Sequence, residues 1–283
     1  MRFAHLATKL FNVPLALHAA KAEVVMAALA ERMGIAHLTR ASGESVPLDL
    51  GEQSGNPADD SLYGVIDGVA VVPVAGTLVQ RLGSIRPVSG MTGYDGIRGQ
   101  LAFALADPDV RSIMLDIDSP GGEVAGVFDL ADAIYAARGQ KPIWAVCAET
   151  AFSAAYAIAS AADRVIVPRT GGVGSIGVIA MLVDMSKALT ASGITVNLIQ
   201  FGARKADGNQ FEPLPKEARA RFQADIDTIG RLFVKTVARN RRLSAAQVTA
   251  TEAGTFMGAA GVSAGLADAV MAPDEAFRAL VYL

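Results

Sequence analysis

Short apolar runs alternate with amphipathic stretches from residue 64 onward. Apolar runs of about four to eight residues are typical of buried strands, and side chains that recur every three or four residues are typical of helices. The pattern predicts paired strands over 64–78, further strands over 110–119, 141–149, 164–168, 177–183 and 194–200, and helices over 94–106, 122–139 and 214–244. Strands that alternate with helices predict an α/β fold with a mostly parallel sheet.

The first 61 residues differ from the rest of the chain. The sequence pattern of residues 1–37 predicts an N-terminal helical segment of one or two short helices. Residues 38–61 are rich in Gly, Pro, Ser and Asp, which marks a linker. Residues 62–283 then contain the predicted α/β domain.

Composition and charge narrow the classes of function. Hydrophobic residues make up 52% of the chain, which argues against disorder. The net charge of −3 gives no electrostatic reason to expect a nucleic-acid partner. The uncharged stretch 170–183 is too short and too glycine-rich to span a membrane, and we identify no export signal. The single cysteine, Cys147, excludes an internal disulfide and fits a reducing compartment. These features predict a cytoplasmic protein without a membrane span.

Two motifs resemble cofactor or metal sites, but each lacks the neighbouring residues that such a site requires. Residues 172–177, GVGSIG, match the dinucleotide-binding pattern, which requires a following helix and an acidic residue about 20 positions later. A strand-like run follows instead, and the later position is near Asn197. Asp116 and Asp118 could form a metal pair, but no histidine accompanies them. We therefore expect no cofactor and no metal.

A Ser-Pro-Gly-Gly turn at residues 119–122 follows one predicted strand. Glycines allow the backbone to approach a ligand closely, and N–H groups at a helix N-terminus can stabilise a developing negative charge. An ordinary strand-to-helix turn is equally compatible with this short motif.

Ser153 begins a predicted helix of small residues, directly after the strand over 141–149. The histidines all precede the linker, at His5, His18 and His37. A Ser-His-Asp triad built within the α/β domain is therefore excluded, and lysine is the remaining common base. Lys205 lies in a glycine-bearing loop after a predicted strand, where α/β sheets carry functional residues. Taken separately, Ser153 is compatible with a helix cap and Lys205 with a solvated surface.

The turn at 119–122, Ser153 at a helix start, the GSIG segment 174–177 and Lys205 occur in the order found in one family. Together with the tail 256–270, they resemble the signal peptide peptidase A (protease IV) family of serine–lysine peptidases. The resemblance extends to its phage branch, the capsid-assembly proteases of the lambda protein C type. It covers residues 65–270, so residues 62–283 are interpreted as a peptidase domain.

The resemblance implies a Clp-protease/crotonase-like ββα superhelix and a ring-shaped homo-oligomer. It implies that Ser153 is the nucleophile and Lys205 the general base, with the Ser175 hydroxyl positioning the lysine amine. The N–H groups of Gly122 and Ala154 would form the oxyanion hole, although glycine is the commoner residue at the position of Ala154. A free lysine titrates near about 10.4, so a lysine base requires burial, which disfavours the charged form.

Residues 2–29 resemble the N-terminus of phage members. The expected function is therefore that of a serine endopeptidase that processes scaffold, portal or capsid proteins in the immature capsid, within the host cytoplasm. One alternative is a host cytoplasmic peptidase that degrades signal peptides or misfolded chains. A crotonase-fold acyl-CoA enzyme is a second alternative, although it would need neither Ser153 nor Lys205. A third is a ring-forming shell component without catalytic activity.

Overall fold

Residues 14–17 and 63–283 are described by a computed structural model of the chain. The strands are β1 Pro14–Leu17, β2 Gly64–Ile66, β3 Val69–Val79, β4 Met91–Gly93, β5 Ser112–Glu123, β6 Ile143–Phe152, β7 Arg164–Val167, β8 Gly172–Gly174, β9 Ile179–Ala180, β10 Thr255–Met257 and β11 Ala269–Val270. The helices are α1 Tyr94–Ala106, α2 Val127–Ala137, α3 Ala154–Ser160, α4 Ser186–Ala191, α5 Lys216–Arg241, α6 Ala245–Thr249, α7 Ala259–Ser263 and α8 Pro273–Val281.

The described strands belong to one sheet, which is mostly parallel. Strands β3, β5, β6 and β7 lie side by side in parallel, and β11 extends this row beyond β7. Strand β8 pairs in parallel with the carboxyl-terminal part of β6, and β4 does the same with β3. Antiparallel pairs join β2 to β3, β10 to β8, and β1 to both β5 and β9. The predicted α/β class and mostly parallel sheet are confirmed.

Both faces of the central strands are buried, which explains why their sequences are almost continuously apolar. On one face, Ile113, Leu115 and Ile117 of β5 belong to the large core shared with α1, α2, α3 and α5. On the other face, Met114 of β5 packs in a smaller cluster with Leu280 of α8. No helix in the described part of the chain is long and apolar enough to cross a membrane.

Helix α3 is the most buried helix in the described residues, since all seven of its residues are buried. Its small side chains allow the backbone to lie close to the sheet. The one large polar side chain, Tyr156, donates a hydrogen bond from its hydroxyl to the Leu266 carbonyl at 2.8 Å. The small-residue run around Ser153 is therefore a packing requirement of the core.

A repeated hydrogen-bond pattern links two of the strand–helix units. The Asp163 carboxylate accepts from the Ile143 N–H at 2.8 Å, and the Asp268 carboxylate accepts from the Val165 N–H at 2.7 Å. The N–H of each aspartate also donates back to the carbonyl of the same partner residue. This repetition is compatible with stacked ββα units, and the Clp-protease/crotonase-like superhelix stays a prediction.

Three sequence-based predictions differ most from the structure. The helix predicted over 122–139 begins at Val127, because residues 119–123 continue β5, in which Gly121 and Gly122 pair with β3. The strand predicted over 177–183 is reduced to Ile179–Ala180. Residues 194–200 form no strand; they are irregular and mostly exposed, since no neighbouring strand in the described residues pairs with them.

Residues 14–17 form a strand, although residues 1–37 were predicted to be helical. Strand pairing depends on the edges that the rest of the fold presents, and β1 finds one edge on β5 and another on β9. Pro14 occupies the first position of the strand, where its missing N–H is tolerated. The other residues of the predicted helical segment and linker, 1–13 and 18–61, lie outside the described residues.

Candidate active site

Ser153 lies at the junction between β6 and α3, in a strained backbone conformation. Its φ is 55° and its ψ −118°, a region that residues with a Cβ rarely adopt. Its N–H donates to the Gly174 carbonyl at 2.9 Å, and its hydroxyl donates to the Gly177 carbonyl at 3.4 Å. The side chain is buried, with 1% exposure. A serine in a sharp, strained strand-to-helix turn is typical of a catalytic nucleophile.

The GSIG segment that follows β8 borders Ser153. Ser175 also has a positive φ of 54°, and its N–H donates to the Gly254 carbonyl at 2.8 Å. The Gly177 N–H donates to the Ser175 carbonyl at 2.9 Å, which closes a tight turn. The Ser175 hydroxyl makes no hydrogen bond within the part of the chain that the structure describes. The structure thus places the Ser175 turn beside the predicted nucleophile.

Residues 119–122 form an extended segment in which glycine is required twice. The Ser119 hydroxyl donates to the Gly76 carbonyl at 2.7 Å and accepts from the Gly121 N–H at 3.1 Å. Gly121 has a φ of 105°, and a Cβ on Gly122 would collide with the Leu78 carbonyl oxygen. The expectation that this turn begins a helix is wrong. Gly122 therefore presents the N–H of a strand and not that of a helix N-terminus.

The carboxyl ends of β5 and β6 bring the two glycines and Ser153 to the same edge of the sheet. Ser119 is opposite Ala151 in the parallel pairing of the two strands. Gly122 therefore lies in the last residues of β5 and Ser153 directly follows the neighbouring strand β6, at the edge where α/β sheets form their ligand sites. Ala154 is the first residue of α3, so its N–H has no acceptor within the helix.

Lys205 lies apart from this group. It is exposed on an irregular loop, where its backbone N–H donates to the Gly202 carbonyl at 3.1 Å. No hydrogen bond joins the side chains of Lys205 and Ser153 in the described residues. The structure thus gathers the other predicted site residues at the sheet edge and leaves Lys205 on the surface, so the catalytic dyad stays a prediction.

Strand β1 occupies the space between two strand edges close to Ser153. It pairs antiparallel with residues 121–123 of β5 on one side and with Ile179–Ala180 of β9 on the other. Strand β9 begins two residues after Gly177, the residue that accepts the Ser153 hydroxyl. The sequence pattern did not predict this arrangement. Its only local signal is a short apolar run that begins with proline.

Residues 136–282 match the sequence profile of peptidase family S49. The chain belongs to this family. The match includes Ser153, Ser175 and Lys205, whereas Gly122 precedes it.

Two phage proteins are similar to this S49 member over 98% of its length. One is the head-tail preconnector protein GP5 of Enterobacteria phage P21, which is 46% identical. The other is the capsid assembly protease C of Escherichia phage lambda, which is 40% identical. The chain spans 56% and 65% of the lengths of these relatives. Protease 4 of Haemophilus influenzae is 27% identical over 76% of this chain and 34% of its own length.

Three other ionisable side chains of this S49 domain, those of Cys147, Asp116 and Asp118, lie on β5 and β6. Burial raises the pKa of the Cys147 thiol to about 12, with a further contribution from the Asp116 and Asp118 charges, so the thiol is unreactive. Burial, and then the nearby Asp118 charge, raise the pKa of Asp116. Asp118 accepts a hydrogen bond from the Thr150 hydroxyl at 3.1 Å. The described residues contain no cluster of three or more side chains suited to a metal.

Proposed function

We propose that the chain is a serine endopeptidase that cuts scaffold, portal or capsid proteins during the assembly of a phage head. The observation that carries the proposal is the strained, buried turn at Ser153, inside the S49 match and beside Gly122. The names of the two phage relatives support a role in head assembly. An acyl-CoA enzyme would not require a serine in a conformation that glycine adopts more easily.

The proposed reaction begins when the Ser153 hydroxyl oxygen attacks the carbonyl carbon of the scissile peptide bond. Lys205, as a neutral amine, accepts the hydroxyl proton, and the Ser175 hydroxyl holds that amine in place. The N–H groups of Gly122 and Ala154 donate to the oxyanion as it forms. Collapse of the intermediate transfers the proton to the leaving amine and leaves an ester on Ser153. Water hydrolyses the ester and regenerates the serine.

The catalytic arrangement requires Lys205 to come closer to Ser153 than its present position. The loop that carries Lys205 has little regular structure, and Ile199 and Phe201 in the same region are each 100% exposed. Exposed patches of large apolar side chains often mark a surface that another protein chain covers. We propose that a second copy of the chain covers this region in a homo-oligomeric ring with a Clp-like superhelical fold. Burial of the loop would also bring the lysine into a drier environment.

The test is co-expression with the portal, scaffold and capsid genes of the same locus, in the cytoplasm of a bacterial host. Wild type, Ser153→Ala and the control Ser192→Ala are compared by mass spectrometry of the accumulated chains. The exposed Ser192 hydroxyl only donates to the Ala188 carbonyl of α4, so its loss leaves the site unchanged. We expect defined cleavage products with wild type and Ser192→Ala, and uncut chains with Ser153→Ala. Identical uncut chains in all three would contradict the role in head assembly, and cleavage by Ser153→Ala would contradict the nucleophile.

A further inference from the structure

The antiparallel pairing of β1 resembles that of a bound peptide. On the β5 side, Leu15 is opposite Glu123, Ala16 opposite Gly122 and Leu17 opposite Gly121. An extended peptide that fills the gap between two strand edges gains main-chain hydrogen bonds on both sides. Residues 14–17 therefore already take the place that an extended protein substrate would need beside Ser153.

The register shows which β1 residue is aligned with the predicted oxyanion donor. On the β9 side, Pro14 is opposite Ala180 and Leu15 is opposite Ile179. Opposed residues in an antiparallel pair alternate between doubly hydrogen-bonded and non-bonded positions. Proline has no N–H, so the doubly bonded pair on this side is Leu15 with Ile179.

The backbone groups of successive residues point to opposite edges of a strand. The doubly bonded pair on the β5 side is therefore Ala16 with Gly122, and the Ala16 carbonyl accepts from the Gly122 N–H. This is the position that the carbonyl of a scissile bond takes in the proposed mechanism. The strand is thus aligned in the register of a substrate.

We propose that residues 14–17 occupy the peptide-binding slot of their own chain and exclude protein substrates until the strand is displaced. The inference rests on the proposed function, because it identifies the slot between β5 and β9 as the substrate site. The slot is then suited to an extended apolar peptide with a small residue opposite Gly122, as Ala16 is in β1. A peptidase blocked in this way stays inactive until the strand leaves the slot.

A disulfide trap tests where the strand lies, independently of catalysis. The variant carries Leu15→Cys and Ile179→Cys in the Ser153→Ala background and is oxidised in its native state. Opposed residues in an antiparallel pair have Cα atoms about 4.5–5.5 Å apart, which a disulfide can bridge. Cys147, the only native cysteine, is buried. The matched control pairs Leu15→Cys with Ile194→Cys, an exposed position outside the strand register.

We expect an intrachain disulfide in the first variant and not in the control, as read by peptide mapping without reduction. Absence of the bond, or equal yield in the control, would overturn the proposal. A disulfide-linked dimer would also overturn it, since the strand would then occupy the slot of a second copy.

A second measurement tests whether the strand blocks the slot. Leu15→Pro removes the N–H that pairs with Ile179, and Leu50→Pro in the predicted linker is the matched control, both in the Ser153→Ala background. The probe is a fluorescein-labelled peptide with the sequence of residues 10–22, LFNVPLALHAAKA. We expect Leu15→Pro to bind it at least about tenfold more tightly than Leu50→Pro, as measured by anisotropy. Equal binding would overturn the proposal. Failure of the proposed function would be seen separately, as absence of cleavage by Leu15→Pro chains that keep Ser153.

Discussion

Ser153 and Gly258 begin their helices in nearly the same backbone conformation, with φ and ψ of 55° and −118° for the serine and 45° and −119° for the glycine. Each follows a strand that pairs with β8, β6 on one side and β10 on the other. Glycine adopts this conformation without a Cβ clash, whereas a serine stores about 1–3 kcal/mol of strain. The two turns are equivalent in backbone conformation, but only the turn at the predicted catalytic site carries a strained residue, Ser153.

Substitution of Ser153 by glycine and by alanine should separate strain from catalysis. Both variants should lose peptide-bond cleavage, because both lose the hydroxyl. Ser153→Gly should be about 1 kcal/mol more stable than Ser153→Ala, since only glycine relieves the strained φ. Thermal unfolding and a peptide cleavage assay measure the two effects. Equal stability of the variants would contradict the strain argument, and residual cleavage near the wild-type rate would contradict the nucleophile.

Lys205→Ala and Lys205→Arg should both be inactive in the assembled protein. Arginine stays protonated and cannot accept the proton of the serine hydroxyl, so conservation of charge does not restore the reaction. We expect a loss of at least about 10³-fold in kcat for each, comparable with the loss of a triad member. Lys187→Ala, at an exposed position on α4, is the control and should keep full activity. Substantial cleavage by Lys205→Arg would exclude the lysine as the base.

Gly122→Ala should impair both the fold and catalysis, because its Cβ would collide with the Leu78 carbonyl oxygen. The strand end has to shift to accommodate it, which moves the predicted oxyanion donor. We expect a loss of about 2 kcal/mol or more in the free energy of unfolding. Gly99→Ala is the matched control, since nothing lies within 4 Å of a Cβ there.

Gly99 is within α1, so alanine should raise stability by about 0.5–1 kcal/mol and leave cleavage unchanged. Urea titration with a parallel cleavage assay measures both variants. A Gly122→Ala protein with wild-type stability and activity would show that the close approach to Leu78 is unimportant.

The ion pair between Arg241 and Asp268 should make the fold sensitive to acid. Arg241 donates to both carboxylate oxygens, at 2.8 and 2.9 Å, and Val165 donates its N–H to the same carboxylate. Burial alone would raise the pKa of Asp268, but these hydrogen bonds and the Arg241 charge outweigh burial and lower it below 3.8. The carboxylate therefore stabilises the fold above pH 3.8, and its contribution is lost as the pH falls through the lowered value.

Asp268→Asn should then cost about 1–2 kcal/mol of unfolding free energy at pH 7, and the difference from wild type should shrink below pH 3.8. Denaturant titrations across this pH range measure it. Asp274→Asn is the control, because its pair with Arg278 is exposed and should contribute about 0.5 kcal/mol or less. A constant difference at all pH values would contradict the assignment.

Phe201→Ser should weaken self-association if a second copy covers the Lys205 loop. The side chain is fully exposed in the single chain, so its loss leaves the monomer fold unchanged. We expect a lower mean mass by light scattering at micromolar concentration, together with reduced cleavage. Phe103→Ser, at a half-exposed position on α1, is the control and should keep the wild-type mass. A wild-type mass for Phe201→Ser would contradict the proposed contact.

Local sequence patterns predicted much of the scaffold. The bounds of α1, the β2–β3 pair and the start of α3 at Ser153 follow from apolar periodicity and from glycine and small residues at the turns. A short strand, β9, follows the GVGSIG segment, as the apolar pattern after residue 177 predicted. The local order of apolar, small and glycine residues determines these features. They can therefore be predicted without knowing which elements pack against each other.

Only the tertiary structure decided which edges pair. Residues 119–123 remain extended because β3 is beside them, residues 194–200 are not a strand because no edge meets them, and residues 14–17 form a strand between β5 and β9. The sequence likewise predicted Ser153, Ser175 and Gly122 as site residues, but their proximity in space depends on the β5–β6 and β6–β8 registers. Hydrogen-bond partners in a sheet come from distant parts of the chain, so the local pattern sets the capacity to form a strand, and the assembled edges determine where it pairs.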